Sequence, residues 1–65
     1  MEFKDRLRQL RKRAGETQTN VADVLGYGYT AVANYEAGRT EPCISDLKAL
    51  AGHFKVTVDY LIGNA

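Results

Sequence analysis

Apolar residues recur along the first fourteen positions at the spacing of one helical face. Phe3, Leu7, Leu10 and Ala14 lie three or four residues apart, with charged side chains between them. This is the repeat of an amphipathic α-helix. Gly15 follows at the position where a left-handed residue would end such a helix. The pattern therefore predicts a first helix that packs these four apolar side chains against a core.

A second helix is predicted to begin after Thr17 and to end at Gly26. The hydroxyl of Thr17 can cap the start of the helix, and Gly26 can adopt the left-handed conformation that ends it. Asn20, rather than Glu or Gln, lies three residues after the cap, so we expect the reciprocal capping box to be at best partial. The core-facing positions of this helix are Val21, Ala22 and Leu25.

The stretch GYGYTAVANYEAG, residues 26–38, predicts a third helix between two glycines. This helix would start after Gly28, which is a weaker N-cap than serine, and stop at Gly38. At about 100° per residue, its side chains divide into two groups. The core-facing group is Ala31, Val32 and Tyr35, and the outward group is Tyr29, Thr30, Ala33 and Asn34.

Two further helices complete the pattern. The fourth extends from about Ile44 to Phe54, and a short fifth helix begins at Thr57 with Leu61 as its core residue. The positions of the fourth helix expected to be buried are Ile44, Leu47, Leu50, Ala51 and Phe54. Alternation in KVTVDY is also compatible with a strand, but no other segment offers a pairing partner. We therefore predict an all-α fold, a compact bundle of five short helices that forms one domain over residues 1–65.

Cysteine and histidine each occur once, as Cys43 and His53. One cysteine excludes an internal disulfide, and these two residues cannot supply the three or four ligands of a zinc site. Because His53 also lacks the partners that a catalytic base would need, we expect no metal, no cofactor and no enzymatic activity. The charged N-terminus is unlike a signal peptide, and no apolar run approaches twenty residues. We therefore expect a cytoplasmic protein that does not enter a membrane.

Positive charge is concentrated at the start of the chain. Residues 1–13 have a net charge of +4, whereas the chain as a whole has a net charge of only +1. A basic segment of this kind fits either a solvated helix face or a surface for nucleic acid. The charge pattern alone favours the solvated face.

The outward face of the third helix lacks the charges that an exposed helix normally shows. It presents aromatic, hydroxyl, methyl and amide groups. These groups also recognise base edges: Asn pairs with adenine, Thr bonds a base or touches the thymine methyl, and Ala packs on that methyl. This helix taken alone fits a mildly polar surface helix equally well.

The order of these features resembles the helix-turn-helix domain of the phage repressor and Cro type, the XRE family. The similar positions extend over nearly the whole chain and include TQ at the start of the second helix, YEAG at the end of the third, and VTVDYLIG. The resemblance implies a lambda repressor-like fold with helix 29–36 in the major groove of a palindromic operator. It also implies a bacterial or phage-encoded transcriptional regulator, usually a repressor, that acts at the nucleoid and binds double-stranded DNA as a homodimer.

The same resemblance implies a role for individual residues. The base contacts are Tyr29, Thr30, Ala33 and Asn34, and the phosphate contacts are Thr17, Gln18 and Arg39. Thr17 would bring backbone N–H groups near a phosphate, and Gln18 would also support the third helix. Arg11 and Glu36 match a largely buried ion pair between the first and third helices, and an unpaired Glu36 facing inward would be costly. That pair has a structural role.

Three positions depart from the family pattern. Gly28 replaces a usual serine or threonine cap, Ala37 stands where asparagine is common, and Cys43 occupies the usual serine N-cap of the fourth helix. Cys43 is expected to be a weak cap or a packed thiol rather than a redox sensor, because no basic neighbour is evident. These departures affect the expected affinity for DNA more than the fold.

A protein-interaction module of the same fold, such as an antitoxin or anti-repressor, is the alternative function. In that case Tyr27 and Tyr29 would be aromatic contacts for a partner. DNA binding weakens steeply as the salt concentration rises, whereas an aromatic interface does not. A salt titration therefore distinguishes the two functions.

Overall fold

The computed structural model describes residues 1–64 and contains five helices. They are α1 (Phe3–Arg13), α2 (Gln18–Leu25), α3 (Tyr29–Ala37), α4 (Ile44–Phe54) and α5 (Val58–Leu61). The described residues contain no strand, and the KVTVDY segment leads into α5 instead. The predicted all-α fold of five short helices is confirmed. Within residues 1–64, none of the helices combines the length and the apolar character that a membrane crossing requires.

The ends of α2 and α3 lie at glycines with left-handed backbone, as predicted. Gly26 and Gly38 both have a φ of 77°, a conformation that glycine adopts without a side-chain penalty. Gly28 is the N-cap of α3 and makes no side-chain cap.

The start of α2 differs from the prediction of a partial capping box. The N–H of Asn20 donates to the Thr17 hydroxyl, and the N–H of Thr17 donates to the Asn20 side-chain oxygen, both at 3.0 Å. Both bonds of the capping box are therefore present. Asparagine replaces Glu or Gln because its side-chain oxygen is also an acceptor and reaches the N-cap amide in this geometry.

The core includes residues from all five helices. Its buried apolar side chains are Leu7, Leu10, Val21, Ala22, Val32, Tyr35, Leu50, Ala51 and Leu61. Helices α2 and α3 pack on each other, α1 packs against α3 and α5, and α4 packs against α2 and α5. The predicted core positions Phe3, Leu25, Leu47 and Phe54 lie at the margin of this core and are half-buried.

Two residues predicted to be buried are exposed. Ala14 is the C-cap of α1 and lies beyond the last turn that faces the core. Ile44 is 71% exposed because it is the first residue of α4, and the apolar contact of that helix with the core begins at Leu47, one turn later. Helical spacing predicts the side of the helix on which each residue lies, but it does not predict that the neighbouring helices leave these two residues uncovered.

Cys43 is the N-cap residue of α4, but its thiol neither caps the helix nor packs in the core, contrary to the prediction of a weak cap or a packed thiol. It is exposed, and its side chain makes no cap hydrogen bond at the start of α4. The sulfur lies 3.2 Å from the Ser45 hydroxyl oxygen. Sulfur is a weak hydrogen-bond acceptor, so it gains little from the backbone N–H groups that a serine would cap.

Lys55 ends α4 in a left-handed conformation that the sequence did not predict, with a φ of 58°. An L-residue with a side chain pays about 1 kcal/mol or more in this region, whereas glycine does not. Lys55→Gly is therefore expected to raise the free energy of unfolding by about 0.5 to 1 kcal/mol, measured by denaturant unfolding. The control is Lys48→Gly in the same helix, which should destabilise by about 1 kcal/mol. Destabilisation by both variants would contradict the expectation.

Candidate nucleic-acid interface

Residues 26–28 connect α2 to α3 in a tight turn. The N–H of Gly26 donates to the Asp23 carbonyl at 3.1 Å, and the N–H of Tyr27 donates to the Ala22 carbonyl at 3.0 Å. This is the hydrogen-bond pattern that ends a helix at a left-handed residue. Ala22 and Val32, one from each helix, are fully buried. The short turn and this packing hold α2 and α3 together as one helix-turn-helix unit.

The side chains of α3 separate into an inner and an outer group. Val32 and Tyr35 are buried, as predicted from helical spacing. On the outer side, Tyr29 is 60% exposed and Thr30 is also exposed, whereas Ala33 and Asn34 are half-buried. The four predicted base contacts therefore lie on one helix, with the two in the first turn the most accessible.

Asn34 and Arg39 contact each other. The Arg39 guanidinium donates from Nη1 to the Asn34 Oδ1 at 3.4 Å. This bond uses one acceptor site of the Asn34 amide and leaves its NH₂ donors free. A predicted base contact and a predicted phosphate contact are thus neighbours at the end of α3.

Thr17 caps the start of α2, the helix end at which backbone N–H groups are predicted to lie near a phosphate. The N–H of Thr17 donates to Asn20 within the capping box, so it is not free for a phosphate. The N–H groups of Gln18 and Thr19 have no partner within residues 1–64. A helix N-terminus with free N–H groups favours an anion, and these two groups provide that here.

The loop before α2 is held by two other side chains. The Arg11 guanidinium donates from Nη1 to the Glu16 carbonyl at 3.0 Å. The Glu16 carboxylate lies 2.7 Å from His53 Nε2 in the last turn of α4. Both contacts hold the residue that precedes Thr17, and they limit the movement of the α2 N-terminus.

Arg11 and Glu36 form a two-pronged ion pair between α1 and α3. Arg11 Nε donates to Glu36 Oε2 at 2.7 Å, and Nη2 donates to Oε1 at 3.0 Å. Glu36 is only 3% exposed. Gln18 adds a third donor, with its Nε2 at 3.3 Å from Oε1. The predicted contact of Gln18 with α3 is thus made through this carboxylate.

Arg8 belongs to the same network, although sequence analysis did not identify it. Its Nη2 donates to the Glu36 carbonyl at 3.1 Å, and its Nε lies 3.5 Å from Oε1. Cations near a helix C-terminus interact favourably with the helix dipole. The available signal was spacing, since Arg8 stands three residues before Arg11 and shares its side of α1.

The charge of Glu36 is maintained despite its burial. Desolvation raises the pKa of this carboxyl, but hydrogen bonds from Arg11 and Gln18 and the charges of Arg11 and Arg8 together lower it by more. The pKa of Glu36 therefore lies below its ordinary value of 4.5. At neutral pH the carboxylate is ionised and the ion pair is intact.

Acidification is expected to remove the stability that this carboxylate contributes. Because the pKa is lower in the folded state, the contribution is complete above the ordinary value and is lost as the pH falls through the folded-state pKa. Denaturant unfolding at decreasing pH measures the loss. The double variant Arg11→Met/Glu36→Leu should show a shallower pH dependence. An equally steep dependence would assign the acid sensitivity to other carboxyl groups.

A family model described as helix-turn-helix matches residues 7–61. The HTH-type transcriptional activator BcrR of Enterococcus faecalis is 37% identical over 62 residues, a match that covers 95% of this chain and 30% of BcrR. The cryptic phage CTXphi transcriptional repressor RstR of Vibrio cholerae is 33% identical over 63 residues, or 97% of this chain and 56% of RstR. The chain thus spans well under two thirds of the length of either relative.

A solved structure gives the same result for the fold. The P22 c2 repressor protein, crystallised with a synthetic operator, superposes on this chain with a TM-score of 0.92 and 26% identity. The match covers 100% of this chain and 98% of that one. The family model matches most of this chain, and α2, the turn and α3 occur in the expected order. This chain therefore belongs to the helix-turn-helix family of the phage repressor and Cro type.

Proposed function

We propose that this chain binds double-stranded DNA sequence-specifically and acts as a transcriptional repressor. Helix α3 lies in the major groove of the operator, and α2 lies across the DNA backbone. The observation that most directly supports this is the outer face of α3, where Tyr29, Thr30, Ala33 and Asn34 form an uncharged surface of groups that recognise base edges. The family membership and the operator complex of the P22 c2 repressor agree with it.

The phosphate contacts lie at the margins of this surface. Arg39 follows α3 and is exposed, so it can reach a phosphate while it orients the Asn34 amide from 3.4 Å. At the start of α2, the free N–H groups of Gln18 and Thr19 suit a second phosphate. Such contacts set the register of the protein on the duplex, and the α3 side chains then determine the sequence.

Selection of bound sequences from random duplex DNA tests this function. A DNA-binding protein should enrich a defined motif, and its affinity should fall steeply between low and moderate salt because phosphate contacts release counterions. Enrichment of no motif, or an affinity that does not respond to salt, would contradict the proposal. Salt-independent binding to a protein instead would support the antitoxin or anti-repressor alternative.

Asn34→Ala is expected to weaken binding to the selected site by about 1 to 3 kcal/mol and to relax the preference at one base pair. The reason is that alanine cannot replace the paired donor and acceptor of the amide. Equilibrium binding to the selected site and to its single-base variants measures both effects. The control is Gln9→Ala, which removes an exposed amide from α1. An equal loss on all sequences would make Asn34 a backbone contact.

The functional unit on the operator is a homodimer. One copy offers few phosphate contacts and a net charge of only +1, so two copies on a palindrome provide a route to useful affinity. Exposed Ile62 and half-buried Val58 near the C-terminal end are suitable for a small contact between copies. This function places the protein in the cytoplasm of a bacterium, at the nucleoid, and it requires no cofactor and no enzymatic activity.

A further inference from the structure

Asp46, in the first turn of α4, accepts hydrogen bonds from two tyrosines. Its Oδ2 lies 2.8 Å from the Tyr27 hydroxyl and 3.4 Å from the Tyr35 hydroxyl. Asp46 is only 9% exposed. Buried carboxylates are costly unless they are hydrogen-bonded. The two tyrosine hydroxyls therefore replace water as hydrogen-bond donors to the Asp46 carboxylate.

The two tyrosines lie at opposite ends of α3. Tyr27 stands in the turn, two residues before α3 begins, and Tyr35 is in its last turn. The N-terminal end of α3 has no side-chain cap because Gly28 is its N-cap. In place of a cap, the side-chain hydrogen bond from Tyr27 to Asp46 restrains this end of the helix.

Helix α3 packs mainly on α2 and α1, whereas α4 packs on α2 and α5. The Tyr35–Asp46 bond is the side-chain hydrogen bond that joins α3 to α4 within residues 1–64. We propose that Asp46 is a positioning residue for DNA recognition: through the hydroxyls of Tyr27 and Tyr35 it fixes both ends of α3 relative to α4. It thereby sets how accurately the outer face of α3 meets the bases. This inference rests on the proposed function.

Local electrostatics supports the arrangement. Asp46 occupies the N-terminal turn of α4, where the helix dipole favours a negative charge. The hydrogen bond to Asp46 and the charge of that residue raise the pKa of Tyr27 above its ordinary value of 10.0. For Tyr35, burial is the main cause of a raised pKa, and the charge of Asp46 adds to it. Both phenols remain protonated donors at neutral pH.

The test uses Tyr27→Phe and Asp46→Asn, which remove one hydroxyl and one negative charge with little change in volume. Binding is measured on a duplex with one selected half-site and on a scrambled duplex, under conditions where each variant is folded. Each variant should lower the ratio of specific to non-specific affinity by about threefold to tenfold, the net effect of one hydrogen bond. The double variant should lose less than the sum of the two single losses, because Tyr27→Phe removes the donor of the Tyr27–Asp46 bond and Asp46→Asn weakens its acceptor by removing the charge.

A merely structural role predicts a different result. Loss of stability alone would lower both affinities equally and leave their ratio unchanged, and that outcome would overturn the proposal. The matched control is Tyr60→Phe, which removes a phenol hydroxyl from α5. The ring of Tyr60 packs on Arg6, with the guanidinium 3.9 Å from the ring centre. This variant should leave the ratio unchanged.

A second measurement needs no DNA. The backbone amide resonances of Tyr29–Ala37 should shift at the N-terminal end of α3 in Tyr27→Phe and at both ends in Asp46→Asn, but at neither end in Tyr60→Phe. Unchanged α3 resonances would overturn the proposal even if the protein binds DNA. If the resonances shift but wild-type protein shows no preference for any DNA sequence, the proposed function fails, and with it the role of Asp46 in recognition.

Discussion

Arg11→Met is expected to lower the free energy of unfolding by about 3 to 5 kcal/mol, because it leaves a buried carboxylate without its main partner. Glu36 is 3% exposed, and both of its oxygens accept from Arg11. The two remaining donors are weaker: Gln18 is neutral, at 3.3 Å, and Arg8 lies 3.5 Å away and is half exposed. Denaturant unfolding measures the loss. Lys12→Met is the control, since Lys12 is an exposed cation of the same helix.

The double variant Arg11→Met/Glu36→Leu should recover much of that loss. A buried ion pair replaced by apolar residues of similar size is often neutral in stability, whereas removal of one partner leaves an uncompensated charge. Arg11 also donates to the Glu16 carbonyl. The free energy of unfolding of the double variant should therefore remain about 1 kcal/mol below that of the wild-type protein. If the losses of the two single variants simply add in the double variant, the residues do not act as a buried pair.

A duplex with two selected half-sites one helical turn apart is expected to bind two copies cooperatively, more tightly per half-site than a duplex with one. Recognition helices that enter successive major grooves lie about 34 to 36 Å apart, whereas the protein is 28 Å along its longest axis. Two copies at that spacing are therefore expected to meet only at their edges, through a small interface. We therefore expect a monomer in solution at micromolar concentration and cooperative pairing on DNA.

Spacing provides the control for the dimer. Inserting half a helical turn, about 5 base pairs, keeps both half-sites but places the second on the opposite face of the duplex. Cooperativity should then disappear. Light scattering with and without the duplex measures the stoichiometry. If two half-sites bind no more tightly than independent single sites, and half a turn makes no difference, the homodimer proposal is wrong.

The helices were predictable from the sequence because their signals are local. The predicted limits of α4 at Ile44 and Phe54 are those observed, and α3 begins after Gly28 and ends at Gly38. Helical spacing also placed Val32 and Tyr35 in the core and Tyr29 on the surface. Each inference needs only the 3.6-residue repeat and the conformational freedom of glycine. Neither depends on how the helices are arranged in space.

The roles proposed for side chains depended on more than spacing. The buried Arg11–Glu36 pair and the base-facing positions were expected from resemblance to a family. Composition alone left α3 equally compatible with an ordinary surface helix. The network around Glu36 includes Arg8 and Gln18 as well, which is more than that resemblance implied.

Contacts between distant parts of the chain were decided by the packing of the helices. Asp46 carries no sequence signal for a distant contact, yet it accepts from Tyr27, 19 residues away, and from Tyr35, 11 residues away. Ile44 has the spacing of a core residue, yet it is 71% exposed, whereas Asp46 in the same turn is buried. A periodic pattern determines the side of a helix on which a residue lies. The tertiary arrangement determines what, if anything, covers that side, because it sets the distances between helices.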